Sequence, residues 1–213
     1  NITLIERAIT GRLVIPDFKN FCSHLTNIHN RTILNKDGEV SDKIPRLKQV
    51  NPEEYAISVC TIDGQRFNIG NSNAGFLVQE ICKPINYCLA LEEFGEEDVH
   101  KKIGLEPKER GFHYLMLNSE GLPHNPLDVA GGLMSLSLIR PSLDNSDRFR
   151  YILKLWEDLS GGLNHGFDRD ASSAQKVASD AEYTTAYFMR QSKLFSKTTD
   201  VKELLDLYFQ SMC

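Results

Sequence analysis

The stretch from Ala56 to Gly70 limits what this chain can fold into more than any other. Ala56-Ile57-Ser58-Val59-Cys60-Thr61-Ile62 is rich in β-branched residues, Asp63-Gly64 is a turn pair, and Gln65-Arg66-Phe67-Asn68-Ile69-Gly70 returns in alternation. The pattern predicts an antiparallel hairpin closed by a two-residue Asp-Gly turn. No later stretch is as strand-like. A two-stranded hairpin is marginal alone in water, and its open edges invite further pairing. The fold class is therefore α+β: a mostly helical chain with an incomplete antiparallel sheet, organised as N-terminal helices and linker (1–54), hairpin (55–70) and helical region (71–213).

Apolar spacing predicts the helices. Ile2, Ile5 and Ala8, with Leu4 beside them, mark one over residues 2–14. A second begins at Pro16-Asp17, where proline suits a first turn and aspartate the positive end of the helix dipole. Its apolar face is Phe18, Phe21, Cys22, Leu25 and Ile28, with His24 and His29 as surface or boundary residues. Residues 31–54 are polar and broken by Gly38, Pro45 and Pro52, leaving room for a helical turn near 46–50. Further helices are predicted over 81–94 (stopping at Gly95), 97–103, 130–136, 146–159 and, more weakly, 174–190. The turn at His124-Asn125-Pro126 precedes the third of these five, 130–136, whose small residues permit close packing. In the last helix Asp200 with Glu203 reads as a capping box, followed by Leu204, Leu205, Tyr208, Phe209 and Met212.

Composition excludes several classes. A net charge of −5 and a pI near 5.7 argue against nucleic acid or an anionic membrane as main partner. There is no membrane-spanning run, signal peptide, phosphate-cradling glycine loop or metal-ligand spacing, so neither a metal nor another cofactor is expected. Cys22, Cys60, Cys82, Cys88 and Cys213 are odd in number, which favours a reducing compartment. The sequons at Asn1 and Asn30 are short, common motifs and carry little weight. The chain opens directly in an apolar pattern and reads as a segment of something longer.

Val78-Gln79-Glu80-Ile81-Cys82-Lys83-Pro84 follows the hairpin and opens a predicted buried helix. The hairpin residues 58–66, with Gln79-x-x-x-Lys83-Pro84, resemble the glutaminase family. Val14-Ile15-Pro16-Asp17-Phe18, Pro123-His124-Asn125-Pro126 with Ala130-Gly131, and Asp206-Leu207-Tyr208-Phe209-Gln210 extend the resemblance along the chain, which is closest to the animal enzymes. It implies a β-lactamase/transpeptidase-like fold and an amidohydrolase ancestry, with a serine nucleophile three residues before a lysine. Residues at i and i+3 share a helix face, so the amine can take the hydroxyl proton.

By that resemblance Lys83 and Tyr208 match the catalytic lysine and tyrosine, and Gln79 a substrate-contacting glutamine. Glu80 stands at the nucleophile position. A carboxylate there is expected to pair with Lys83, using the amine as a cation where the reaction needs it as a base. Val129 replaces a substrate-binding asparagine. Gln175 and Glu182 stand where a glutamate and an asparagine would hold the amino-acid end of glutamine, and Lys43 replaces a linker tyrosine. Cys82 lies on another side of the helix from Glu80 and is expected to pack in the core. His124 and Asn125 read as architectural. Family members also continue past the tyrosine helix with further strands, so a partner chain or further segment is expected against the 56–70 hairpin, an oligomer included. The expectation is a glutaminase-like pseudoenzyme serving as a structural or interaction subunit. The alternatives are an active glutaminase releasing ammonia from L-glutamine, and a non-catalytic sensor of an amino acid or other small ligand.

Overall fold

A computed structural model describes residues 2–108, 115–162 and 166–213. The sequon at Asn1 lies outside them. The chain divides into two compact units, Asn1–Asp42 with Leu47–Phe76, and Lys43–Arg46 with Leu77–Cys213.

The first unit holds helices α1 (Ile2–Ile9) and α2 (Phe18–Thr32) and strands β1 (Ala56–Cys60) and β2 (Arg66–Gly70). Helix α1 ends well before residue 14. Gly11 adopts φ +65°, Gly11 N–H reaches the Ala8 carbonyl and Arg12 N–H the Arg7 carbonyl, the paired bonds of a Schellman stop. Asp17 caps α2 by accepting from Asn20 N–H at 3.1 Å. The strands pair antiparallel from Ala56 opposite Gly70 to Cys60 opposite Arg66.

The turn differs from the two-residue closure expected. Thr61 N–H bonds to the Gln65 carbonyl and Gly64 N–H to the Thr61 carbonyl, so Ile62-Asp63-Gly64 is a three-residue loop with Gly64 at φ +91°. Asp63, at the centre of that loop, also holds the segment before α2. Its carboxylate accepts from Val14 N–H at 2.8 Å and from the Thr61 hydroxyl. His29, expected near the surface, is buried and stacks on Tyr55 with ring centroids 5.1 Å apart, while His24 is exposed as predicted. Gly70 is required there: a Cβ would meet the Tyr55 carbonyl oxygen at 2.2 Å, and φ is +78°.

The second unit contains α3 (Pro45–Lys48, in part), α4 (Cys82–His100), α5 (Val129–Leu138), α6 (Asn145–Leu159), α7 (Arg169–Val177), α8 (Asp180–Gln191) and α9 (Val201–Ser211). Every residue of α5 is buried, and it packs against α4, α8 and α9. Leu133, Met134, Leu136, Ile152, Leu204, Leu205 and Phe209 form the core around it. Gly95, at φ +77° and ψ 160°, kinks α4 where its end was predicted. The single helix expected over 174–190 is two helices. Ser179 leaves the helical region at φ −118°, ψ 42°, and its hydroxyl accepts from Gln175 Nε2 at 3.0 Å. Ser179-Asp180-Ala181-Glu182 has the spacing of a capping box, but neither side chain caps, because each is engaged elsewhere. Asp200 does cap α9, accepting from Lys202 N–H at 2.7 Å and Glu203 N–H at 3.1 Å.

Candidate active site

Gln79–Ile81 form one 3-10 turn leading into α4. Three residues per turn bring i and i+3 into line, and Glu80 accordingly forms an ion pair with Lys83, as the sequence predicted. The two partners differ in setting: the Glu80 side chain is about half exposed, while that of Lys83 is 2% exposed. Lys83 lies in the second position of α4, with Pro84 following in the first turn where proline costs no helix bond. Its aliphatic stem runs over Gly132 of α5, where a Cβ would meet Lys83 Cγ, Cε and Cδ at 3.1–3.3 Å. Gly132 is thus the notch through which α5 admits a lysine to the core.

Gln79 adopts φ +44°, a left-handed conformation that costs a residue with a Cβ free energy. Its N–H and its side-chain amide both bond to the Met212 carbonyl, at 2.9 and 3.2 Å. The glutamine matched to substrate contact is therefore engaged with the end of α9. Cys82 is fully buried, and burial first, with the Glu80 charge adding to it, pushes its thiol up to about 12. It is an inert core thiol, not a substitute nucleophile.

The diverged positions at the other end of the pocket are coupled. Lys43 Nζ lies 2.8 Å from Glu182 Oε1, and the Glu182 side chain is 3% exposed. The negative charge at 182 is thus met by the positive charge at 43. Residues 43–46 belong to this unit through three anchors: the Lys43 pair, the fully buried Ile44, and Arg46 Nε at 3.1 Å from Asp168 Oδ2 at the start of α7. Gln175 is buried and spends its amide on Ser179. Val129 is buried in the same apolar cluster as Cys82 and Tyr208.

Tyr208 stands at the centre. It is fully buried on α9, and burial first, then the charge of Glu80 and those of Cys82, Glu182 and Asp128, raises its hydroxyl well above the ordinary tyrosine value. That list locates the hydroxyl within electrostatic reach of both altered ends of the site, Glu80 and Glu182. Tyr208 thus stays a neutral phenol, a hydrogen-bond donor and a weaker acid than an exposed tyrosine.

Sequence reasoning missed three buried polar groups of the same unit, Asp128, Asn86 and Ser135. Asp128 caps α5, with one oxygen accepting from Gly131 N–H at 2.6 Å, while its Oδ2 finds no hydrogen-bond partner among the described residues. The Asn86 amide, the Ser135 hydroxyl and Tyr208 Oη are likewise buried without one. Asn86 was legible as a polar residue one turn beyond Lys83 in an apolar helix; Ser135 was hidden among the small residues of α5. Asn125 is architectural as expected: Oδ1 accepts from Leu127 and Asp128 N–H, and Nδ2 donates to the Glu106 carbonyl. Among the described residues, no group of three His, Cys, Asp or Glu could hold a metal ion, and no helix is long and apolar enough to cross a membrane.

Comparison with known proteins agrees with this architecture. A probable glutaminase (ybaS) superposes with a TM-score of 0.83 over 92% of this chain and 63% of its own, at 24% identity. The native form of Mglu gives 0.77 over 90% of this chain and 46% of its own, at 22% identity. The fold is that of the glutaminases, β-lactamase-like, mostly helical with a two-stranded antiparallel sheet among the described residues. In sequence, the mitochondrial liver isoform of glutaminase from Mus musculus is 34% identical over 99% of this chain and 35% of its own length. The putative glutaminase 3 of Caenorhabditis elegans is 34% identical over 99% and 36%, and the glutaminase of Microcystis aeruginosa 30% identical over 94% and 58%. The chain thus spans about a third of the animal relatives and somewhat over half of the cyanobacterial one. With the glutaminase family model matching residues 38–213, the chain belongs to the glutaminase family.

Proposed function

We propose that this chain is a catalytically inactive member of the family that serves as a structural or interaction subunit of a larger assembly. The observation that carries the reading is the Glu80–Lys83 pair: a carboxylate stands in the nucleophile position and holds the amine that would act as base. Loss of the nucleophile alone removes orders of magnitude of rate in serine hydrolases. The Lys43–Glu182 pair supports the same reading, because a charge matched from within the protein is not offered to the α-amino group of a substrate. The partner surface we assign is the hairpin, where each strand has an unpaired edge among the described residues. A further chain, a further segment or a second copy would supply the strand. Five free thiols and the mitochondrial relative support an intracellular compartment, cytoplasmic or mitochondrial.

The test is ammonia release from L-glutamine by the protein isolated from its source. None above background is expected, whereas turnover abolished by Lys83→Ala would establish an active glutaminase instead. Co-purification of a chain whose removal exposes residues 56–70 to hydrogen exchange supports the subunit role; a monomer whose hairpin is already protected counts against it.

A second reading, a sensor of a small ligand, has its own observation. The Asn86, Ser135, Asp128 and Tyr208 polar atoms without partners among the described residues are groups that a bound molecule would satisfy. A thermal shift with glutamine or glutamate, without turnover, would favour it.

A further inference from the structure

A cleft of about 390 Å³ opens on the second unit between α4, the C-terminal end of α5 and the segment joining α8 to α9. Its volume falls in the range of small-molecule sites. Phe94, Met134, Leu138 and Leu194 supply an apolar floor, and Lys102 stands on its wall. Phe94 is 41% exposed, whereas Met134 and Leu138 are buried, so the floor runs from the core out to solvent.

The backbone around it is irregular at three separate places. Gly95, the residue after Phe94, breaks α4 at φ +77°. Arg140, directly before the lining residue Pro141, adopts φ +44°, and Lys193, directly before Leu194, φ +59°. Two of the three non-glycine residues at positive φ in the described chain thus flank this cleft, and the third is Gln79. Such conformations persist where the surroundings over-determine them, and they gather at ligand sites.

Charge selects the ligand. Lys102 makes no side-chain hydrogen bond or ion pair among the described residues, although it lies within electrostatic reach of Asp98, and Asp98 is itself bound by Lys101. Glu93, directly before Phe94 on α4, is committed to Arg140, receiving both its Nε at 2.9 Å and its N–H at 3.0 Å. Lys193 and Lys197 stand next to the lining residues Leu194, Ser196 and Thr198 and make no ion pair among the described residues. The rim also carries hydroxyls: Ser196 Oγ and Thr198 Oγ1 bond to each other at 3.0 Å, and Ser142 and Thr199 stand beside them.

We propose that this cleft binds an amphipathic carboxylate, a medium-chain fatty acid anion, with its chain on the Phe94–Leu138–Leu194 floor and its head group at Lys102. Apolar burial drives association and the cationic rim chooses the head group. The proposal uses none of Glu80, Lys83, Lys43, Glu182 or Tyr208, so it stands or falls apart from the inactivity of the family site.

Isothermal titration with sodium decanoate below its micelle concentration tests it. Saturable one-to-one binding is expected, with 1-decanol and decyltrimethylammonium at least about tenfold weaker. Lys102→Glu should weaken decanoate at least about tenfold and strengthen decyltrimethylammonium. Lys154→Glu, exposed on α6, should change neither. Lys102 is exposed, so its variants should melt as the parent does; if Lys102→Glu does not fold, Lys102→Gln takes its place with the same expected loss. Binding without saturation, equal affinity for decanol and decanoate, or an unchanged affinity in the folded lysine variant would overturn the proposal.

Discussion

The two units use opposite means to hold their shape. In the helical unit, apolar side chains from α4, α5, α6, α8 and α9 are fully buried together. In the hairpin unit the buried residues among those described are polar, His29 and Asp63, and none of the described apolar side chains reaches full burial. Both strands alternate between exposed and half-exposed positions. The helical unit is organised by hydrophobic burial, the hairpin unit by hydrogen bonds, a ring stack and two glycine conformations. Glu80, Lys83, Lys43, Glu182 and Tyr208 all belong to the first kind, and Glu80 pairs with Lys83 and Lys43 with Glu182 within it. The open strand edges belong to the second, which is why an interaction role is assigned there.

The comparison breaks most sharply at Gly131. A Cβ there would meet the Asn125 carbonyl oxygen at 1.8 Å, so Gly131→Ala must displace the turn that starts α5. A loss above about 4 kcal/mol is expected, enough to abolish the cooperative transition seen by circular dichroism. The matching change in the other unit, Gly70→Ala, should cost about 3 kcal/mol from left-handed strain and backbone collision. Its effect should appear as lost hydrogen-exchange protection over 56–70, with the helical signal intact. A shared collapse in both variants would show that the units are one cooperative body.

Smaller effects sharpen the picture. Lys43→Ala leaves the buried Glu182 carboxylate without this partner and should cost about 2 kcal/mol, part of the pair being solvent-screened. The double variant with Glu182→Gln should recover most of that, a coupling that denaturant melts of the four proteins would measure. Smallest is the acid response of the hairpin unit. The Thr61 hydroxyl and Val14 N–H hold Asp63 below the ordinary carboxylate range. A depressed folded value means stability present above the unfolded value near 3.9 and lost as pH falls through the lower folded one. Exchange at Val14 should therefore rise below about pH 4, and Asp63→Asn should remove the pH dependence.

Much of this was legible because local signals and tertiary outcome agreed. The hairpin, the Asp200 cap, the Gly95 break and the Glu80–Lys83 pair each depend on residues within a few positions of one another. The misreadings arose where side-chain partners added to or overrode the local signal. Asp63 is a turn residue as read, in a loop one residue longer, and also takes Val14 N–H; the single helix read over 174–190 breaks at Ser179, whose hydroxyl Gln175 takes. His24 and His29 look alike in sequence, yet only the second meets an aromatic ring.

The sequence by itself determined the family, the helical content, the hairpin and the Glu80–Lys83 pair, since all of these are written in residue identity and short-range spacing. Only the tertiary structure decided that Lys43 and Glu182 act together. Lys43 and Glu182 are 139 residues apart, and their charges meet at 2.8 Å because residues 43–46 lie with the helical unit. Val129 joins the core for the same reason, through the packing of α5 against α4 and α9. Linear order sets the charges; the fold brings them near enough, and dry enough, for their pairing to matter.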